Sequence, residues 1–342
     1  MIEPSAEEQL VFLTKIQRLF AEGDFTATYK FALLISIADY AVQNGDVGGD
    51  ELLIPNREIG KRFVELYWQQ CTPFNHSTPL NDGVLLQNNH DQASVVSKIL
   101  EYRNKNFKLT AALKSEELIT YVTAKVKENP IKRLQKLGGI DEIFIYEETK
   151  GHIRLLPGVT YCLRRFQPLI QQLCRTNWIA QIKSISKNNA LIDEKIDLEE
   201  FLFQTSRQSL AIVETGLRKI SDKCFYCNGS VSKADVDHFI PYSLYPRDLV
   251  HNFVLADPKC NRSKSDTLAA KNHLNKWLEF IDTNTERLND IGFEAGIMGN
   301  SKSTESIAKW GYTNGFSGES KAWVASAQYE PIDNSYLSLF KI

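Results

Sequence analysis

The sequence predicts a mostly α-helical chain of about two domains, with a few short β elements. Three observations predict it. The 342 residues are more than twice the usual domain length of roughly 150. Apolar residues recur at helical spacing along most of the chain. The β-prone runs are short. With 43% hydrophobic and 24% charged residues, the composition is that of a soluble globular protein, which excludes collagen, coiled coil and disordered chains. No apolar run approaches the roughly 18 residues of a membrane span. The opening MIEPSAEEQL lacks the basic-then-apolar layout of a signal peptide. These features imply a cytoplasmic chain with no membrane contact. Six cysteines are too sparse for a disulfide scaffold, so a close pair among them reads as a metal site.

In chain order, Leu10, Leu13, Ile16, Leu19 and Phe20 form a helical stripe over 7–21. Residues 26–42 are richer in apolar side chains and predict a buried helix. Gly45-Asp46-Val47-Gly48-Gly49-Asp50 is a turn. Asn56 stands where an N-cap belongs, before a helix over 57–70. Residues 72–89 carry Pro, Asn and Gly and predict a long loop. Helices are expected over 91–104 and 115–137. Two β-prone runs, 142–147 and 152–156, flank Glu-Thr-Lys-Gly, a hairpin signal. A helix, Gly138-Gly139 and then a hairpin resembles the recognition helix and wing of a winged-helix domain, over 91–157. An α-rich domain closed by a small hairpin is the plainer reading. Further helices are expected over 158–186, 196–220 and 268–291. Residues 296–323 mix Gly and Ser with Trp310, Tyr312, Phe316 and Trp323. They read as an irregular packed cap, or as a surface on which bases stack.

The net charge of −2 hides an uneven distribution. Residues 101–186 carry +7 and 215–276 carry +4, against −6 for 1–100, −3 for 187–214 and −4 for 277–342. A polyanion is expected along the two basic segments, with Lys132, Arg133, Arg164 and Arg165 among its contacts. Solvated helix faces are the plainer reading.

The chemistry concentrates in three pieces: Cys224-Phe-Tyr-Cys227; Asp235-Val-Asp237-His238-Phe-Ile-Pro241; and His251-Asn252 through Asp257-Pro-Lys-Cys260-Asn261-Arg262-Ser-Lys264-Ser-Asp266. A Cys-x-x-Cys turn presents two thiolates to one tetrahedral Zn²⁺. Asp257-x-x-Cys260 repeats the spacing with a carboxylate for the first thiolate. The zinc set is therefore Cys224, Cys227, Cys260 and Asp257, or three cysteines with water or another side chain. Three unligated core cysteines are the alternative. Asp237 and Asn261 offer oxygens suited to Mg²⁺ or Mn²⁺. His238 can take a proton from water near neutral pH. Lys264, three residues after Asn261 on a helix, shares its face and can contact phosphate, with Arg262 and Arg247 as further nucleic-acid contacts. Metal, base and cation together suit phosphodiester hydrolysis. His76, His90, His152 and His273 read as surface or satisfied polar residues, and His251 as exposed. A zinc nucleobase deaminase is excluded, because no His-x-Glu precedes a Pro-Cys-x-x-Cys.

These pieces resemble the HNH, or ββα-metal, endonucleases with zinc knuckles. Asp237-His238-x-x-Pro241 is similar to the first motif, Asn252 to the central Asn, and Asn261 to the third position. The span 235–266 also resembles the HNH domain of CRISPR RNA-guided nucleases. The resemblance implies His238 as general base, Asp237 and Asn261 as holders of one divalent ion, and Asn252 as the residue pinning the loop that orients His238. It implies a small ββα-metal domain over 215–275; the helical spacing elsewhere makes the chain mostly α, with an α-rich recognition or regulatory domain expected over 1–200 and a helical or irregular extension over 276–342. The expected function is metal-dependent DNA cleavage, with RNA a second candidate substrate, in prokaryotic restriction or anti-phage defence. The alternatives are a partner-activated effector silent alone, and a non-catalytic zinc-knuckle DNA-binding module. Adjacent strand residues point to opposite faces, so convergence of Asp237 and His238 on one phosphate is expected to need a bend or bulge.

Overall fold

The computed structural model describes residues 3–45, 51–74, 83–105, 107–192 and 196–341. All but Gly45 of the turn expected at 45–50, the centre of the expected 72–89 loop and His76 lie outside the described residues. The chain divides into two compact units, one ending at Gln204 and the other starting at Thr205.

The first unit runs α1 (Ala6–Glu22), α2 (Tyr29–Asn44), β1 (Leu53–Pro55), α3 (Asn56–Trp68), α4 (Ser94–Asn104), α5 (Leu109–Ala112), α6 (Glu116–Val126), β2 (Lys136–Leu137), β3 (Ile140–Asp141), β4 (Tyr146–Thr149), β5 (His152–Leu155), α7 (Val159–Arg165), α8 (Gln167–Ser184) and α9 (Leu198–Phe203). A capping box starts α1: Ser5 Oγ accepts from Glu8 N while Glu8 accepts from Ser5 N. As its composition requires, α2 is buried almost all round and packs against α3, α7 and α8. Below its start, a fully buried polar cluster joins Thr28 to Tyr67 and Gln87, with Gln87 Oε1 also accepting from Trp178 Nε1 at 2.9 Å. Each of these polar groups has a partner, as burial demands.

The helix-then-hairpin expected within 91–157 is present as α6 followed by β4 and β5. The hairpin gains a third strand from outside that span. β1 pairs antiparallel with β5, giving the order β1-β5-β4, and α3 packs along α6. Asn56 is not the N-cap of α3. It is the first helical residue, behind Pro55, and among the described residues its buried Oδ1 has no hydrogen-bond partner. Arg164 is likewise no surface cation. It is 9% exposed and donates to the carbonyls of Ala41, Val42 and Gly45, the orphan acceptors at the end of α2.

The second unit runs α10 (Arg207–Ile220), β6 (Asp235–His238), β7 (Phe253–Ala256), α11 (Pro258–Lys264), α12 (Lys271–Thr283), α13 (Thr285–Ala295), α14 (Ser301–Ser317), β8 (Lys321–Ala325), β9 (Gln328–Pro331) and α15 (Asn334–Leu337). β6 and β7 form an antiparallel hairpin that lies on α12 through the stacked rings of Phe239 and Trp277. Residues 276–341 belong to this same compact unit. The stretch read as irregular is mostly helix α14. Its glycines lie where neighbours come close: a Cβ on Gly315 would sit 2.8 Å from Ile332, and one on Gly311 3.2 Å from Leu244. Tight packing there outweighs the poor helix propensity of Gly. Trp310, Tyr312 and Trp323 are buried, so packing accounts for them and stacking on bases does not. None of the described helices is long and apolar enough to cross a membrane.

Candidate active site

The Cys224–Cys227 turn is closed by Cys224 O accepting from Asn228 N at 3.0 Å, with Asn228 at φ 60°, and by Cys224 N donating to Gly229 O at 2.8 Å. Asn tolerates that left-handed conformation better than most residues. The chain returns through β7, and α11 then carries Cys260 to the turn. The sulfurs of Cys224, Cys227 and Cys260 lie within 4.8 Å of one another. Cys224 Sγ also accepts a hydrogen bond from the Asp257 amide at 3.2 Å. Burial pushes the Cys260 thiol up to about 12, and the neighbouring sulfurs add to this. At Cys227 burial acts in the same upward sense, but the Gly229 amide and the other two thiols outweigh it and draw the group below its ordinary value. Three thiols this close cannot all ionise without a cation among them. Three sulfurs converging with an amide on one of them fit a tetrahedral Zn²⁺, whose Zn–S bonds are about 2.3 Å. Asp257 does not join the group. Its Oδ1 accepts from Lys259 N at 2.8 Å and caps α11, ahead of Pro258 at the first helical position.

β6 and α11 lie side by side, and their residues pair off. Asp235 and Asp237, two apart on the strand, share one face. Asn261 and Lys264, three apart on the helix, share another. Asn261 Nδ2 donates to Asp235 Oδ2 at 3.0 Å, which leaves its carbonyl oxygen for a cation. Lys264 Nζ sits 3.2 Å from Asp237 Oδ2 and donates to His238 O at 2.8 Å. Tyr226 donates to Asp237 Oδ2 at 2.5 Å. Asp237 is 7% exposed and Lys264 1%. Lys264 is therefore not the surface phosphate contact expected of it. Burial lowers its pKa, against the opposing pull of Asp237. Arg262 is exposed and Arg247 half-buried.

The β6–β7 ladder is regular through His238 opposite Phe253, with no bulge. The side chains of Asp237 and His238 have different partners, and only the backbone carbonyl of His238 shares Lys264 with Asp237. The imidazole, at the end of β6, packs on Phe253 and Tyr242, and its Nε2 lies 2.6 Å from Asp248 Oδ1. Asp248 also accepts from Thr205 N at 3.0 Å. Burial opposes ionisation of Asp248, but His238 and Thr205 outweigh it and hold the carboxyl below the usual range. If Nε2–H donates to Asp248, Nδ1 keeps a lone pair for a proton.

Asn252, 2% exposed, clamps the backbone just beyond His238: Oδ1 accepts from Ile240 N at 2.8 Å and Nδ2 donates to Ile240 O at 2.9 Å. His251 is fully buried rather than exposed, and among the described residues neither ring nitrogen has a partner in good hydrogen-bond geometry. His273 is satisfied, with Nε2 2.9 Å from Val324 O. Sequence reasoning missed Asp248 and Tyr226. Asp248 lies in the loop between two motif segments, and Tyr226 inside the knuckle, where neither spacing nor periodicity marks them.

Comparison with known families agrees with this geometry. Residues 224–270 match the model of the HNH endonuclease, a span that holds the three cysteines, β6, β7 and α11. Residues 10–201 match a domain of unknown function, DUF8808. No curated protein and no solved structure matches the chain. With that match over more than half its length, the chain belongs to the DUF8808 family and carries an HNH endonuclease domain in its C-terminal unit.

Proposed function

We propose that the protein is an endonuclease that hydrolyses DNA phosphodiester bonds, with the 205–341 unit performing the cleavage. The observation that carries this reading is the held imidazole: Asp248 fixes one nitrogen of His238, and the Asn252 clamp on Ile240 fixes the backbone behind it. His238 takes the proton from the attacking water through Nδ1, and Asp248 stabilises the imidazolium that results. Asp237 and the carbonyl oxygen of Asn261 would hold one divalent ion, Mg²⁺ or Mn²⁺, as hard oxygen donors. Such an ion neutralises charge on the phosphate and the departing oxygen. Because His238 ends β6, a phosphate lying across the strand end can meet both sides. Cys224, Cys227 and Cys260 would hold the structural Zn²⁺. Arg262 and Arg247 are proposed to contact the nucleic-acid backbone.

One observation favours a second reading, a nuclease effector silent until a partner acts. Both oxygens of Asp237 are already engaged, by Tyr226 and by the buried ammonium of Lys264. Binding of a cation then requires Lys264 to withdraw. A recognition unit joined to a nuclease unit also suits restriction or anti-phage defence in a prokaryotic cytoplasm, a reading from layout alone. The test is plasmid cleavage with Mg²⁺ by the wild type and by His238→Ala. Cleavage by the wild type alone supports the first reading. Cleavage only after addition of proteins encoded beside it supports the second. Equal cleavage by both forms removes His238 from the mechanism.

A further inference from the structure

The first unit holds a cavity of about 740 Å³ between the start of α2, the start of α4 and the segment after α6. Its size is that of a small-molecule site, which typically measures about 300–1,000 Å³. Three cations converge on it: Lys30, Arg133 and Lys136. Lys30 is only 8% exposed. Its ammonium lies over the Phe25 ring at 5.2 Å, and among the described residues it has no hydrogen bond or ion pair. Burial lowers its pKa first, with Arg133 and Lys136 adding to the effect and Asp24 opposing it. Neither Arg133 nor Lys136 forms an ion pair among the described residues. Of the two lining carboxylates, Glu22 is already bound in two places by Arg18, at 2.8 Å each. That leaves Asp24 alone against three cations.

An ammonium on so enclosed a side chain, beside two further cations and with no ion pair among the described residues, is stabilised when something anionic meets it. The backbone around the cavity points the same way. After α6 the helix widens into a π turn over Lys127–Ile131, with Pro130 inside it. Proline has no N–H to donate, so the ordinary helical bond is lost there. Such turns concentrate at functional sites. This one lines the cavity with Asn129 and Pro130. Asn88 and Ser94 add polar side chains to the lining, while the Gln92 amide is held by the backbone of Leu85, Gln87 and Ala93. The cavity therefore offers a cationic end and a wall of amides and hydroxyls, as an organic phosphate with a polar body would require.

We propose that this cavity binds a phosphorylated small molecule of nucleotide size, with Lys30, Arg133 and Lys136 receiving its phosphate. The proposal does not depend on the nuclease reading, because its test reads binding alone. The full-length protein is titrated calorimetrically with inorganic phosphate, pyrophosphate, AMP, ATP and a single-stranded 12-mer oligonucleotide. Saturable binding of AMP or ATP at one site per chain is expected, and phosphate and pyrophosphate distinguish recognition of the charge alone from recognition of the whole molecule. Arg133→Ala and Lys136→Ala, both at exposed positions, should each weaken that binding about 10-fold or more, as loss of a charged hydrogen bond does. Lys132→Ala, exposed but outside the lining, should change it less than 2-fold. Lys30→Met should abolish it while circular dichroism stays native. If Lys30→Met misfolds, the Arg133 and Lys136 variants decide. Absence of binding by every nucleotide and inorganic probe overturns the proposal. So does binding unaffected by Arg133→Ala and Lys136→Ala, or binding confined to the 12-mer, which would make the cavity part of a nucleic-acid groove.

Discussion

Nε2 of His238 and Oδ1 of Asp248, ten residues apart in the chain, lie 2.6 Å from each other. The contact orients the imidazole, and with the Asp248 carboxylate accepting from Nε2–H the remaining lone pair is on Nδ1. His238→Ala should lower kcat by about 10²–10⁴, the usual cost of a lost general base. Asp248→Asn should lower kcat too while leaving KM and DNA affinity near wild type, because its proposed role is to act through His238. Wild-type kcat in purified Asp248→Asn would reduce the pair to a structural contact.

The zinc prediction rests on the three convergent sulfurs. Protein purified without added metal should contain about one zinc per chain by elemental analysis. Cys224→Ser and Cys260→Ser should lower the Tm more than His238→Ala does, since a structural zinc contributes folding free energy. Asp257→Ala should cost only the cap, about 1 kcal/mol, and keep the metal. Loss of zinc in Asp257→Ala would restore Asp257 as the fourth ligand.

Lys264 and Arg262 separate a buried cation from an exposed one on the same helix. Lys264→Met leaves the Asp237 carboxylate buried without its ammonium, a loss of about 3–5 kcal/mol. Arg262→Ala, at the surface, should change the Tm little and weaken DNA binding instead. The double variant Asp237→Asn with Lys264→Met should recover much of the lost stability, because no charge is then left unpaired. Equal Tm values for Lys264→Met and the wild type would contradict the buried pair.

The parts of the fold that were legible are those with a local signature. Apolar spacing gives α1 and α2, and the Glu-Thr-Lys-Gly turn gives the β4–β5 hairpin. What failed did so because a distant contact decided it. β1 joins that hairpin from about a hundred residues away. α14 keeps its glycines because neighbours lie against them: a Cβ on Gly315 would meet Ile332 at 2.8 Å and one on Gly311 would press on Leu244 at 3.2 Å. At the site, the sequence placed Asn261 and Lys264 correctly on one helix face, but not the direction of that face. It points at Asp235 and Asp237, so Lys264 became a buried counter-ion. The segment charge count could not see burial either, and it included Arg164, which serves the end of α2.

Arg164 and its neighbour Arg165 make that last point testable. Arg164→Glu places a carboxylate among the carbonyls of Ala41, Val42 and Gly45, so repulsion replaces three hydrogen bonds. It should lower the Tm sharply or prevent folding. Arg165→Glu, on the exposed side of α7, should keep the Tm and weaken DNA affinity in a salt-dependent way if this face meets phosphate. Equal Tm values for the two variants would argue against the capping role.

His251 predicts an acid-sensitive step in the second unit. Burial pushes its imidazole down to about 4, with the nearby Thr285 backbone only partly opposing. The unfolded chain takes the proton at about 6.5, whereas the folded one resists it. Stability from keeping His251 neutral is therefore full above about pH 6.5 and is lost as the pH falls towards 4. His251→Phe removes the titrating group while keeping a ring in the buried position. A Tm series from pH 7.5 to 4 should show a steep fall in the wild type over that window and a shallower one in His251→Phe. Asp248 contributes in the same direction but lower, because its carboxyl is already held below the usual range. Parallel pH profiles for wild type and His251→Phe would show that His251 is not the group that titrates.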